Sequence, residues 1–218
     1  MKNNIITIDG PSASGKGTLA RSLSKEFKFH LLDSGLLYRT YAFLKLKGLD
    51  GSDLINEINN QIVFDAPKRE TIILYKNIEI TGELRSEKIA KIASEISTIS
   101  KTRQDLLAVQ RSFYKPPGLV ADGRDMGTVV FPNAKVKIFL EASSEERANR
   151  RFLELQNRGQ DVNMRDLMSD IKRRDNMDKT RTLSPLVPAD DATIIDSSSM
   201  SPAEVLSFTK KLIKRKII

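Results

Sequence analysis

Near the start of the chain, Gly10-Pro11-Ser12-Ala13-Ser14-Gly15-Lys16-Gly17-Thr18 sets two glycines, a lysine and a hydroxyl at the spacing Gly-x-x-x-x-Gly-Lys. Glycines at both ends let the backbone curl around an anion with no Cβ in the way. Successive N–H groups, ending at a helix N-terminus, can then cradle phosphate oxygens, and Lys16 adds a point charge for the β- and γ-phosphates. The strict pattern continues with Ser or Thr; here Gly17 intervenes before Thr18, so the usual magnesium-ligating hydroxyl is displaced by one position. A chance glycine-rich turn is the competing reading. The apolar run Ile5, Ile6, Ile8 before the loop and the helical pattern of Leu19, Ala20 and Leu23 after it favour the phosphate loop.

A second group of residues bears on what the phosphate is for. Arg39, Arg124, Arg147, Arg151, Arg158, Arg174 and Arg181 fall at loops expected to face the site. Phosphoryl transfer is mainly a problem of positioning and charge, and a phosphate acceptor adds repulsion between two anions that arginines offset. A phosphate oxygen is already a nucleophile near neutral pH, whereas a hydroxyl acceptor benefits from a general base. The single histidine, His30, sits at a predicted strand and is assigned no role. Arginine excess and histidine scarcity point to a phosphate acceptor; a hydroxyl acceptor with Asp33 or Asp122 as base stays open. The guanine-specifying Asn-Lys-x-Asp and the switch Asp-x-x-Gly of GTPases do not occur.

These residues need elements to hold them. Ile5–Ile8, Phe29–Asp33, Leu119–Asp122, Val136–Leu140 and Ala192–Asp196 read as five core strands alternating with helices, which predicts a mainly parallel, doubly wound α/β sheet. Ligands in such sheets lie beyond the carboxyl ends of the strands, where Asp33, Ser34, Arg39, Arg124 and Asp125 fall. Between residues 61 and 82 the character changes to short β-rich runs (Ile62-Val63-Phe64, Thr71–Tyr75, Ile78–Ile80) separated by Pro67-Lys68-Arg69-Glu70 and Lys76-Asn77, a small antiparallel insertion. Gly48 to Gly51 break the helix that carries Leu37, Tyr41 and Leu44. A helical stripe follows at Ile89, Ile92, Ile96 and Ile99, then a helix over Arg103–Phe113 ending before Pro116-Pro117. Ser143 with Glu146, and Ser201 with Glu204, have capping-box spacing.

Composition bounds the rest. A chain of 218 residues with 39% hydrophobic and 29% charged content suits one globular domain with an insertion. No cysteine is present, which excludes disulfides and thiolate metal sites. No apolar run approaches the ~20 residues of a membrane span, and the first strand begins too early for a signal peptide, so the cytoplasm is expected. The formal charge of +8 fits either a nucleic-acid surface or a site gathering several phosphates with the remaining cations solvated. Without an RNA- or DNA-binding signature, the second is favoured. The basic tail from Lys210 to Lys216 reads as a solvated helix end.

Three blocks then carry a specific resemblance: Gly10–Thr18; Leu31-Leu32-Asp33-Ser34-Gly35 with Tyr38-Arg39; and Ala121-Asp122-Gly123-Arg124-Asp125-Met126-Gly127-Thr128-Val129-Val130-Phe131-Pro132. Together with Lys137–Leu140, Ala142–Ala148 and Pro185–Ala189, the chain resembles the bacterial cytidylate kinases, nucleoside monophosphate kinases with a P-loop, from first strand to last. The resemblance implies ATP-dependent phosphorylation of CMP and dCMP. It implies a core (1–38, 102–150 and 167–218), a monophosphate-binding insertion (39–101) and a helical lid (151–166). Mg²⁺ would be held mainly through nucleotide phosphates and water, with no protein ligand set. No nucleic-acid or membrane partner is implied, and a monomer is expected.

Residue by residue, the resemblance gives ATP the loop Gly10 to Thr18 with Arg151 and Arg158 of the lid, and gives catalysis Lys16, Arg124 and Arg181. It gives the CMP phosphate Ser34, Arg39 and Arg124, and the ribose Asp178 with Arg174. The base falls to Ser94, Arg103 and Asp125, and Arg181 to the transferring group. Chemistry agrees at Asp125, since a carboxylate accepts from the N4 amine of cytosine and repels the carbonyl of uracil. Alternatives remain: Asp178 and Arg181 as a surface pair, Ser94 as a neutral helix residue, and the lid arginines as a solvated face.

Overall fold

In the computed structural model, residues 4–65, 71–157 and 159–217 are described. Five residues with no exposed side chain form the central strand β1 (Ile5–Asp9). It pairs in parallel with β6 (Leu119–Gly123) on one side and β7 (Val136–Glu141) on the other. Strand β2 (His30–Asp33) lies outside β6 and β8 (Thr193–Asp196) outside β7, giving the order β2-β6-β1-β7-β8. Near-continuous apolar runs are what a sheet covered on both faces requires. Alternation still sorts the two faces. Ile5, Leu119 and Ala121 join one core with Leu32, Leu37 and Tyr41; Ile6, Ile8 and Val120 join the other with Leu19, Leu23 and Ile213.

From β1 the chain crosses to the β2 edge, and from β6 it crosses to the β7 side. Opposite departures open a crevice at the carboxyl ends of β1 and β6. Helix α1 (Lys16–Phe27) starts there, and so does α2 (Ser34–Leu46), whose N-cap carboxylate, Asp33, accepts from Leu36 N–H at 3.0 Å. The expected five-stranded parallel sheet is therefore the observed one.

The insertion also takes the expected form, a three-stranded antiparallel sheet of β3 (Ile62–Asp65), β4 (Ile72–Tyr75) and β5 (Ile78–Glu79). Its hairpin turns at Lys76-Asn77, with φ of 51° and 65°, the doubly positive turn that matches strand twist. This sheet shares the main core: Phe64 meets Phe113 edge-on at 5.2 Å and Tyr75 meets Phe43 at 6.0 Å. The connector Pro67-Lys68-Arg69-Glu70 lies outside the described residues.

Three local expectations are corrected. Beyond the break at Gly48, Asp50 caps a further helix, α3 (Gly51–Gln61), which buries Leu54 and Ile58. After the short α4 (Thr81–Leu84), the isoleucine helix α5 (Glu87–Ile96) stops at Ile96. Ile99 is 47% exposed and precedes α6 (Ser100–Ser112), which begins three residues earlier than Arg103. After β6 the chain makes a π-helical turn, Met126–Val130, that the sequence reading lacks. The remaining helices are α7 (Ser144–Gln156), α8 (Met164–Thr180) and α9 (Pro202–Ile217). Ser201 and Glu204 form a reciprocal capping box at α9, whereas at α7 only Ser143 caps and Glu146 pairs with Arg150 instead.

Candidate active site

The loop from β1 to α1 is curled by its glycines. A Cβ on Gly10, at φ 148°, would lie 2.1 Å from the Leu140 carbonyl oxygen, so no other residue fits against β7. Gly15, at φ 94°, leads into α1 with no side-chain cap and no acid in the first turn. The first N–H groups of α1 are thus open to an anion. Ala13 to Thr18 line a cleft of about 820 Å³. Gly10 and Pro11 line neither cavity and shape the turn, while Ser12 faces a second cavity.

Lys16 is buried and its Nζ donates to the Pro11 carbonyl at 2.8 Å, folded over its own loop. Burial and the nearby Arg124 charge hold its pKa below the ordinary lysine value, against Asp122, Asp178 and Asp9. Burial also raises the Asp122 carboxyl, which Lys16 opposes. Arg151 of the proposed lid lines the cleft and pairs with Glu87 of α5 and with Glu154 at 2.9 Å. Arg158 lies outside the described residues.

The second cavity, of about 140 Å³, gathers all nine residues assigned to the acceptor and the transferring group. Ser34 and Arg39 come from α2, Ser94 from α5 and Arg103 from α6. Arg124 and Asp125 follow β6, Arg174 and Asp178 lie on α8, and Arg181 is its C-cap. Gly35 and Arg39 belong to the walls of both cavities. Five arginines face two carboxylates here. Arg103 pairs with Asp125 and donates to the Ser97 carbonyl at 3.0 Å. Arg124 Nε donates to Asp178 Oδ2 at 2.8 Å, and Arg181 Nη1 lies 3.7 Å from Asp178 Oδ1. Asp178 is therefore no isolated surface pair with Arg181 but a buried carboxylate between two guanidinium groups.

Several of these groups hold their places through backbone contacts. Arg39 donates to the Leu84 carbonyl at 3.0 Å, Arg174 to the Ala90 carbonyl at 3.3 Å, and Ser34 Oγ accepts from Gln110 at 2.9 Å. Ser94 Oγ lies 3.5 Å from the Met177 sulfur. Arg181 Nη2 is buried with no protein partner among the described residues. Burial and neighbouring cations lower Arg39 to about 10 and lower Arg174 and Arg181 as well. Burial would raise Asp178, yet the charge and hydrogen bond of Arg124, with the charges of Arg181 and Lys16, together hold the carboxyl below its ordinary value. Crowded, desolvated cations of this kind are relieved by an anion.

Two arginines have roles other than those the sequence suggested. Arg147, offered as a site-facing cation, is 4% exposed and braces the loop from behind. It donates to the Ser12 carbonyl at 3.2 Å, the Ala142 carbonyl at 3.0 Å and Asp175 Oδ1 at 2.9 Å. Arg150, which the sequence reading left without a role, donates to the carbonyls of Ser14 at 3.1 Å and Ser197 at 2.7 Å on the cleft wall. Asp9 was missed as well. Its buried carboxylate accepts N–H bonds from Met126 and Gly127, both at 2.8 Å, and burial lifts its pKa to about 7. An acid closing an apolar strand directly before a glycine loop was the available signal.

For a magnesium ion, the donors fit a hydrated mode. Asp33 and Asp122 stand in register across β2 and β6, and a Cβ on Gly17 would meet Arg21 Nη1 at 3.2 Å and Asp122 Oδ2 at 3.3 Å, so glycine leaves room for the Arg21 guanidinium beside that carboxylate. No group of three or more histidine, cysteine or acidic residues able to hold a metal occurs among the described residues. Hard oxygen donors suit Mg²⁺ bound to phosphates.

Comparison with known proteins gives the following. A sequence model of the family described as cytidylate kinase matches residues 6–215. A cytidylate kinase from Salmonella arizonae is 43% identical over 98% of this chain and 96% of its own length. One from Vibrio vulnificus is 45% identical with the same coverage of both chains. A crystal structure of a Thermus thermophilus protein covers 100% of both chains with a TM-score of 0.54 at 14% identity, a likeness of fold alone.

Proposed function

The chain belongs to the cytidylate kinase family, and on that premise we propose that it phosphorylates CMP and dCMP at the expense of ATP, releasing ADP and CDP or dCDP. The observation that carries this reading is the convergence of nine dispersed residues on one cation-rich cavity joined to the phosphate-loop cleft at Arg39.

The ATP phosphates lie along the backbone N–H groups of the loop, with Lys16 turning from the Pro11 carbonyl to the γ-phosphate and Arg151 closing from the lid. An oxygen of the CMP phosphate attacks the γ-phosphorus, the bond to the ADP oxygen breaks, and no proton has to leave the nucleophile first. Ser34, Arg39 and Arg124 hold the acceptor phosphate, and the unpartnered Nη2 of Arg181 faces the equatorial oxygens as charge spreads over them. Asp178 and Arg174 take the ribose hydroxyls, while Asp125 accepts from the cytosine N4 amine and Arg103, with Ser94, meets the carbonyl side. Thr18, Asp33 and Asp122 would hold, through water, a Mg²⁺ ion carried by the nucleotide phosphates, and such an ion would supply neutralisation of oxygen charge. The insertion 39–101 carries the acceptor and the segment 151–166 excludes water on closing. On this reading the protein is a cytoplasmic monomer without a nucleic-acid or membrane partner; among the described residues no helix is long and apolar enough to cross a membrane.

A coupled ADP-release assay across CMP, dCMP, UMP, AMP and GMP tests it. The expected order has CMP and dCMP first by at least ~10-fold in kcat/KM over the purine nucleotides. Preference for AMP or GMP, or turnover of none of the five, would refute it.

A further inference from the structure

Asp9 lines neither cavity, so it touches no substrate in the reading above, yet it is tied to the residues that would. Its side chain leaves the face of β1 shared with Thr7 and receives the N–H groups of Met126 and Gly127, the two residues directly after Asp125. Those hydrogen bonds fix the entry to the π-helical turn. The turn in its own right closes on Asp125, whose carbonyl accepts from Val129 N–H at 2.9 Å and Val130 N–H at 3.1 Å. Gly127 is pressed into the same contact: a Cβ there would meet Thr7 Oγ1 at 2.9 Å, the Lys137 side chain at 3.2 Å and Asp9 Oδ2 at 3.3 Å. The backbone of Asp125 is thus held through its carbonyl by the turn, and the turn is held by the strand that carries the phosphate loop.

From this geometry we infer that Asp9 is a specificity-positioning residue, which sets the Asp125 carboxylate against the pyrimidine by clamping the backbone at Met126 and Gly127. The inference rests on the base-reading role proposed for Asp125. A carboxyl group is required because both oxygens must accept, which it can do ionised or with its O–H turned away; an asparagine offers one acceptor and turns an N–H₂ donor toward a backbone donor. One buried N–H then loses its partner, the turn shifts, and Asp125 loses its alignment with the N4 amine while the phosphate loop keeps its own backbone contacts. Small displacements of a positioning group cost much of its effect.

The test measures kcat and KM for CMP, UMP and ATP in four variants alongside the natural protein. Asp9→Asn is expected to lower the CMP/UMP ratio of kcat/KM by ~10-fold or more and raise KM for CMP, with KM for ATP within about two-fold. Gly127→Ala, which pushes the same backbone off the clamp and leaves the carboxylate in place, should lower the ratio likewise and serves if Asp9→Asn does not fold. Thr7→Val perturbs the same contact without removing a hydrogen bond, since Thr7 Oγ1 has no partner among the described residues, and should leave the ratio unchanged. Asp125→Ala separates the two ideas. If it lowers the ratio while folded Asp9→Asn and Gly127→Ala do not, the clamp is refuted and the base-reading role stands. If Asp125→Ala leaves the ratio unchanged, the base-reading role falls and the clamp with it. Equal losses for CMP and ATP in Asp9→Asn would reduce Asp9 to a purely structural part and overturn the inference.

Discussion

Buried charge at single residues decides much of this site. Asp9 is the clearest case: two N–H bonds favour its carboxylate, but burial and the neighbouring Asp125 and Asp122 charges win, lifting its pKa from 3.8 to about 7. A carboxyl raised in the folded state binds its proton more tightly there than in the unfolded chain. It therefore adds stability at low pH that disappears as pH rises from about 4 through about 7, on the order of a few kcal/mol. The melting temperature of the natural protein relative to Asp9→Asn should accordingly be highest at about pH 4 and below, and between pH 5 and pH 8 it should fall by roughly 5–10 °C. A difference that stays flat over that interval, measured by calorimetry in matched buffers, would contradict the assignment. At the same scale, strand ends placed Ser34, Arg39, Arg124 and Asp125 at the ligand edge, but the ribose and base contacts were legible only through resemblance. Arg103, Asp125 and Arg181 are far apart in sequence, and no local pattern announces that Arg103 pairs with Asp125 or that Asp178 lies between Arg124 and Arg181.

Elements were legible where burial leaves a periodic trace. The three central strands β6, β1 and β7 read as apolar runs because both faces of the sheet are covered there, and the shorter edge strands β2 and β8 keep an apolar pair although each buries one residue. Helix α3 was not, since Asn56, Asn59, Asn60 and Gly51 mask an amphipathic stripe of only Leu54 and Ile58. The π-helical turn was illegible for a different reason: its geometry comes from Asp9, 117 residues from Met126. Between elements the decisive brace is Arg147 of α7, which joins the phosphate loop at Ser12 to α8 at Asp175. Removing either partner breaks a largely buried ion pair, a loss of up to ~3 kcal/mol, since Arg147 keeps its carbonyl acceptors and Asp175 keeps some access to water. Arg147→Ala and Asp175→Ala should each destabilise the protein by about that amount, and the double variant by clearly less than their sum, as a double-mutant cycle in urea would record. Additive losses would mean that the two side chains act independently.

Over the whole molecule, the charge of +8 is distributed with a purpose in one place and without one in another. Five arginines crowd the acceptor cavity, whereas Lys211, Lys214, Arg215 and Lys216 lie exposed along the last turns of α9. In the first group Arg39, Arg174 and Arg181 are disfavoured by burial and neighbouring cations, which an anion relieves, while Asp178 favours the charged Arg124; the second group is solvated. On the proposed reading, the two cavities that share Arg39 take two phosphate-bearing ligands end to end, with the pyrimidine at the side away from the phosphate loop. A crystal structure with CMP and a non-hydrolysable ATP analogue tests that arrangement most directly. The account predicts the cytosine N4 amine within hydrogen-bond distance of the Asp125 carboxylate and the CMP phosphate against Arg39 and Arg124. A base lying away from Arg103 and Asp125, or a CMP phosphate seated elsewhere, would contradict it.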